Sequence, residues 1–122
     1  VKFFDSVPNV LQTEAEADVY VINSETEGFP NSLIEAMLAG IPCIASDCPP
    51  GGVNFVADHG RRVHLVPVHD EKALADGMAK VLTDKAYADM LRRNAMEIKD
   101  VLDPVKLGRN WMNLIQEVIS GE

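Results

Sequence analysis

The chain has 122 residues, 47% of them hydrophobic and 25% charged, with 8 Gly and 7 Pro, which suits a single soluble domain able to hold a core without metal or disulfide staples. Collagen-like, disordered and cystine-stapled classes are excluded. No apolar run approaches the ~20 residues of a membrane span, and residues 1–7, VKFFDSV, lack the layout of a signal peptide. Nineteen acidic against eleven basic side chains give a net charge of -8, with no Lys/Arg cluster able to track a phosphate backbone, so nucleic acid is not an expected partner.

The charge is unevenly spread. Residues 1–60 carry nine carboxylates and one cation, Lys2, so a phosphate bound there must be held by backbone dipoles or by cations from outside. Cys43 and Cys48 match neither the CxxC redox pair nor a zinc half-site. They are expected as reduced thiols, Cys43 as a buried small hydrophobe in a cytoplasmic protein.

In chain order, short apolar runs recur at Val1–Phe4, Val19–Ile22, Cys43–Ala45 and Val63–Val66. Runs of this length alternating with helical spacing indicate a parallel sheet covered on both faces. Pro8 opens a short helix over Asn9–Ala17. A two-turn helix spans Ser32–Ala39, stopped by Gly40 with Pro42 beyond it. A short helix covers Val53–Ala57.

Asp70 caps a helix with apolar positions Leu74, Met78, Val81 and Leu82, and another carries Tyr87, Leu91, Ala95, Ile98 and Leu102. Asp103 followed by Pro104 starts a last helix whose stripe of Leu107, Trp111, Leu114 and Val118 is expected in the core, Trp111 as a structural residue. The expected fold is α/β: a Rossmann-like parallel sheet of about four strands with flanking helices and a helical C-terminal cover.

Ligands of open parallel sheets sit at the carboxyl ends of the strands. Two loops occupy that position, Ser24–Asn31 and Asp47–Gly52. The start of the following helix, Asn31–Ile34, offers free N–H groups and a positive dipole end to a phosphate oxygen. Gly28, Gly51 and Gly52 permit close backbone approach. Glu27 and Glu35 flank this cradle; carboxylates repel a diphosphate but accept pairs of hydrogen bonds from sugar or ribose hydroxyls. On the residues alone, other readings stay open. Ser32 and Glu35 spell an S-x-x-E capping box, and Glu27 also suits a solvated loop.

His59, His64 and His69 recur every five residues, a spacing that neither strand nor helix brings onto one face, so no metal site is expected. Arg61 and Arg62 could reach a phosphate but suit a solvated loop pair better.

Taken whole, the segment SETEGFPNSLIEAM of residues 24–37, followed by Gly40-Ile41-Pro42 and Ala45-Ser46-Asp47, resembles the E-x7-E region of glycosyltransferase family 4, retaining enzymes of the GT-B fold. The resemblance implies a donor-binding C-terminal domain over residues 1–122, lacking its first βα unit and the N-terminal acceptor domain. It implies that Glu27 contacts hydroxyls of the transferred sugar as the catalytic carboxylate, and that Glu35 binds the ribose. The backbone around Gly28, Phe29, Pro30, Asn31, Ser32 and Leu33 would then face the donor sugar and diphosphate.

It also implies a nucleotide sugar as substrate, with no metal or cofactor, and the acceptor domain of the same protein as partner. The whole enzyme is then expected in the cytoplasm or peripherally at the membrane's cytoplasmic face, in glycan or polysaccharide biosynthesis. An uncovered sheet edge would favour homo-oligomeric pairing.

Departures are visible: Val53-Asn54-Phe55 stands where many members have a glutamate, Arg62-Val63 replaces an Asn-Gly turn, and the family's paired Arg and Lys are missing. The competing expectation is a non-catalytic nucleotide- or phosphate-binding or interaction module on a half-Rossmann scaffold.

Overall fold

A computed structural model describes residues 16–121. The expected strand at Val1–Phe4 and most of the Asn9–Ala17 helix lie outside them. Among the described residues the chain forms three parallel strands, β1 (Tyr20–Ile22), β2 (Cys43–Ser46) and β3 (His64–Val66), in the order β1-β2-β3. Tyr20 pairs with Cys43 and Ile22 with Ala45, while Ile44 pairs with His64 and Ser46 with Val66. Central β2 is buried along its whole length, which explains its unbroken apolar sequence.

The strands are joined by α1 (Asn31–Leu38) and α2 (Gly52–Ala57), and β3 is followed by α3 (Glu71–Thr83), α4 (Lys85–Ala95), α5 (Ile98–Val101) and α6 (Pro104–Ser120). Two core clusters form on opposite sides of the sheet. Cys43 and Ala45 point to one, packed with Leu33, Ala36 and Met37 of α1, Val53 and Val56 of α2, and Ile98 of α5. Ile44 points to the other, with Val66, Val81 of α3, and Ala88 and Leu91 of α4. Ala95 of α4 belongs to the first cluster, so this helix crosses from one face to the other and closes the core. Each fully buried Leu or Ile here contributes about 1.5–3 kcal/mol.

The end of α1 follows from its sequence. Gly40 adopts φ +76, and two bonds, Gly40 N–H to Met37 O (3.0 Å) and Ile41 N–H to Ala36 O (3.1 Å), form a Schellman motif. Asp70, Asp84 and Asp103 cap α3, α4 and α6 by accepting hydrogen bonds from first-turn N–H groups. Asp84 also splits the helical region after β3 into two helices.

Three sequence expectations change. The single helix read from Tyr87 to Leu102 is two, broken after Ala95. On α3 only Gly77 and Val81 are buried, and Leu82 is 55% exposed. Most consequentially, α6 buries no residue: Trp111 is 64% exposed and Val118 73%, so the C-terminal cover is made by α4 and α5, and Trp111 is not a core residue of the described chain. Amphipathic spacing reports that a face is apolar; it does not specify an opposing surface.

Both cysteines are free and buried, and the Cys43 thiol donates to Ile41 O at 3.2 Å. Among the described residues no helix is long and apolar enough to cross a membrane.

Candidate functional site

The loops after β1 and β2 meet above the carboxyl end of the sheet and are tied together at three points. Ser46 Oγ, at the end of β2, donates to Ser24 O at 2.5 Å. The Glu27 N–H donates to Pro49 O at 3.1 Å. At the third point Gly52 lies directly against the Gly28 carbonyl: a Cβ on Gly52 would sit 2.9 Å from the carbonyl carbon and collide with its oxygen. The close approach that Gly52 permits is therefore to the neighbouring loop. Sequence reasoning missed this strap, because Ser24, Ser46 and Gly52 become neighbours only through the pairing of β1 with β2.

Gly28 is different. It has no positive φ, and a Cβ there would meet nothing within 4 Å. Nothing in the described chain requires glycine at this position: the side on which a Cβ would project faces open space, while the carbonyl packs on Gly52.

Helix α1 begins one residue earlier than the spacing suggested, at Asn31, with Pro30 at the N-cap and no side-chain cap. Ser32 is thus inside the first turn, and the S-x-x-E capping box does not form. Asn31 N–H turns back to Phe29 O (3.0 Å) and Ile34 N–H bonds Pro30 O (3.1 Å). Among the described residues the N–H groups of Ser32 and Leu33 have no acceptor, as the free first turn of a helix predicts.

Glu27 is half-buried beside Gly28, and Glu35 is exposed on α1, opposite the buried Leu33, Ala36 and Met37. Neither carboxylate has a partner among the described residues. Pro30 is buried and anchors the loop, while Phe29 is 49% exposed. The structure therefore brings together Glu27, Gly28, Phe29, Asn31, Ser32 and Leu33 around one helix start, with Glu35 a turn further along. Two unpaired acceptors and two unpaired donors on an open backbone edge can hold a molecule bearing both hydroxyls and an anionic group.

The remaining titratable groups lie elsewhere or are engaged. Arg61, which precedes β3, donates to Asp58 (2.6 Å) and to both oxygens of Glu97. The Arg61 hydrogen bonds hold the carboxyls of Asp58 and Glu97 below their usual range. Arg62, expected in solvent, is 8% exposed, with its guanidinium 3.7 Å from Asp58 and 3.8 Å from Glu97. The pair is a clamp between the end of α2 and the α4–α5 turn.

His64 lies 2.7 Å from the Tyr87 hydroxyl, His69 is 3.7 Å from Glu25, and His59 is in a separate groove. No group of three His, Cys, Asp or Glu side chains converges among the described residues.

The family model described as Glycosyl transferases group 1 matches residues 1–98. The chain belongs to this family. It is 35% identical over 97 residues to the N-acetyl-alpha-D-glucosaminyl L-malate synthase of Bacillus anthracis, covering 80% of this chain and 25% of that protein. It is 32% identical over 99 residues to the 2-deoxystreptamine N-acetyl-D-glucosaminyltransferase of Niallia circulans, with the same coverage of 80% and 25%.

Among solved structures, a sucrose-phosphate synthase from Thermosynechococcus elongatus superimposes with a TM-score of 0.68 and 32% identity, over 87% of this chain and 26% of that one. The chain spans about a quarter of the length of these relatives. Within this group 1 glycosyl transferase segment, α6 lies beyond the matched residues, and the strapped loops lie well inside them.

Proposed function

We propose that the chain is the nucleotide-sugar-binding part of a retaining glycosyltransferase of the family 4 type, the C-terminal half of a GT-B enzyme completed by an acceptor-binding domain. The observation that carries this reading is the open Cα face of Gly28, which nothing among the described residues requires to be glycine, flanked by the Glu27 carboxylate and the N–H groups of Ser32 and Leu33, all without partners among those residues. Family membership supports it.

In this reading the diphosphate lies across the start of α1, where backbone N–H groups and the helix dipole supply about half an elementary charge. Glu27 accepts hydrogen bonds from hydroxyls of the sugar being transferred, and Glu35 accepts two from the ribose diol. The bond between the anomeric carbon and the diphosphate oxygen breaks as an acceptor hydroxyl oxygen bonds to that carbon with retained configuration, and the hydroxyl proton leaves with the departing diphosphate. Half a charge is too little to stabilise the departing diphosphate, so in this reading cations contributed from outside these 122 residues complete the site, and the 122 residues alone transfer no sugar. The reading assigns no metal and no resident cofactor, and places the enzyme in the cytoplasm.

Substituting the carboxylates separates this reading from a structural one. Glu35→Gln replaces an acceptor oxygen with a donor facing a diol and is expected to weaken nucleotide binding by about tenfold, or 1.4 kcal/mol, with an unchanged melting temperature. Glu27→Gln should weaken binding of the nucleotide sugar more than that of the bare nucleotide. Unchanged affinities in both variants, measured by isothermal titration, would refute the assignment.

A further inference from the structure

Beyond the strap, the second loop and α2 frame a groove of about 470 Å3 that the donor reading does not use, lined by Asp47, Pro49, Pro50, Asn54, Phe55 and His59. Phe55 is 58% exposed while Val53, Val56 and Ala57 of the same helix are buried, so its ring is spare apolar surface beside two prolines. At the rim Asn54 Nδ2 donates to both Asp47 carboxylate oxygens at 3.1 Å. That contact fixes the carboxylate and leaves it further acceptor sites.

An aromatic face next to a fixed carboxylate suits one chemical class above others. A pyranose presents a flat C–H face to a ring and hydroxyl donors around its edge. An anionic ligand is disfavoured by Asp47 and by the acidic balance of residues 1–60.

We propose that this groove is a subsite for a neutral sugar ring, with the C–H face on Phe55 and hydroxyls donating to Asp47. Its wall is continuous with the candidate site: the Pro49 carbonyl accepts from Glu27 N–H, and Gly52 abuts Gly28. A sugar in the groove therefore lies beside a donor held at the start of α1, as part of the acceptor. That acceptor role rests on the donor reading; occupancy by a sugar does not.

The test is an amide chemical-shift titration of the full chain with the methyl glycosides of glucose, galactose, mannose and N-acetylglucosamine, up to tens of millimolar, with glycerol as control. The proposal expects at least one glycoside to shift Gly51, Asn54, Phe55 and His59. Those shifts should be lost in Phe55→Ala and kept in Phe55→Trp, since Phe55 lies outside the core. No shift at these amides with any glycoside, the same shifts with glycerol, or shifts that survive Phe55→Ala would overturn it. A parallel titration with nucleotide sugars reads Gly28–Leu33. Shifts there alone sink the subsite and leave the donor reading standing, and groove shifts alone do the reverse.

Discussion

Gly52 packs its bare Cα against the carbonyl of Gly28, and this contact fixes the height of the β1–α1 loop above the sheet. The two glycines look equivalent in sequence, yet a Cβ on Gly52 would collide with the neighbouring loop and a Cβ on Gly28 would meet open space. Gly52→Ala must push the loops apart, at a cost of about 1–3 kcal/mol. Gly28→Ala should leave stability within about 0.5 kcal/mol of the parent and weaken nucleotide-sugar binding. Chemical denaturation together with titration calorimetry checks both; equal destabilisation by the two substitutions would contradict the distinction.

The Arg61 clamp gives a pH dependence with a definite sign. Hydrogen bonds from Arg61 hold Asp58 and Glu97 below their ordinary values of 3.8 and 4.5. The unfolded chain therefore binds more protons in that window, and the clamp's contribution is present above the ordinary values and lost as pH falls through the lowered folded ones. Arg61→Ala should flatten the acid limb of the stability curve, measured by urea unfolding between pH 3 and pH 6 at about 0.1 M salt. An unchanged slope would show that the clamp is fully screened.

His64 behaves oppositely in charge but with the same sign in pH. Burial, followed by the positive charge of Lys80, pushes its imidazole below the ordinary value of 6.5. The unfolded state takes up its proton first, so stability is flat above about 6.5 and falls as pH drops from there through the lowered folded value. His64→Gln should remove that step. Gly77→Ala places a Cβ 2.7 Å from the His64 ring and is expected to cost about 1–3 kcal/mol, read as a lower unfolding midpoint.

Trp111 tests the exposure of α6. Because α6 buries no residue, Trp111→Ala in the 122-residue chain should change stability by less than about 0.5 kcal/mol. A core tryptophan would cost about 3–5 kcal/mol. Trp111 is the chain's one tryptophan, so its fluorescence in the wild-type chain should also show the red-shifted maximum of a wetted indole.

Much of the fold is legible because its signals are local. The apolar runs at β1, β2 and β3, the Gly40 stop and the Asp70 and Asp103 caps each act within a few residues, and all recur in the structure. The candidate loop was legible for the same reason, since Glu27 to Glu35 is one contiguous segment.

What escaped depends on partners distant in sequence. Arg62 is buried with its guanidinium 3.8 Å from Glu97, a residue far along the chain at the start of α5. The Ser46–Ser24 bond needs the β1–β2 pairing. The exposure of Trp111 depends on a surface that no residue in the stripe encodes. The capping box fails for a local reason: the helix starts at Asn31 with Pro30 as its N-cap, so Ser32 lies inside the first turn and not at the cap.

The most direct test of the central claim is a titration of the chain with UDP-, GDP- and ADP-sugars, followed by amide chemical shifts. One nucleotide sugar should perturb Gly28, Ser32 and Leu33 most strongly, and Glu27→Gln should reduce the response. If every donor leaves those three amides unmoved, or moves only residues remote from the start of α1, the donor assignment is wrong.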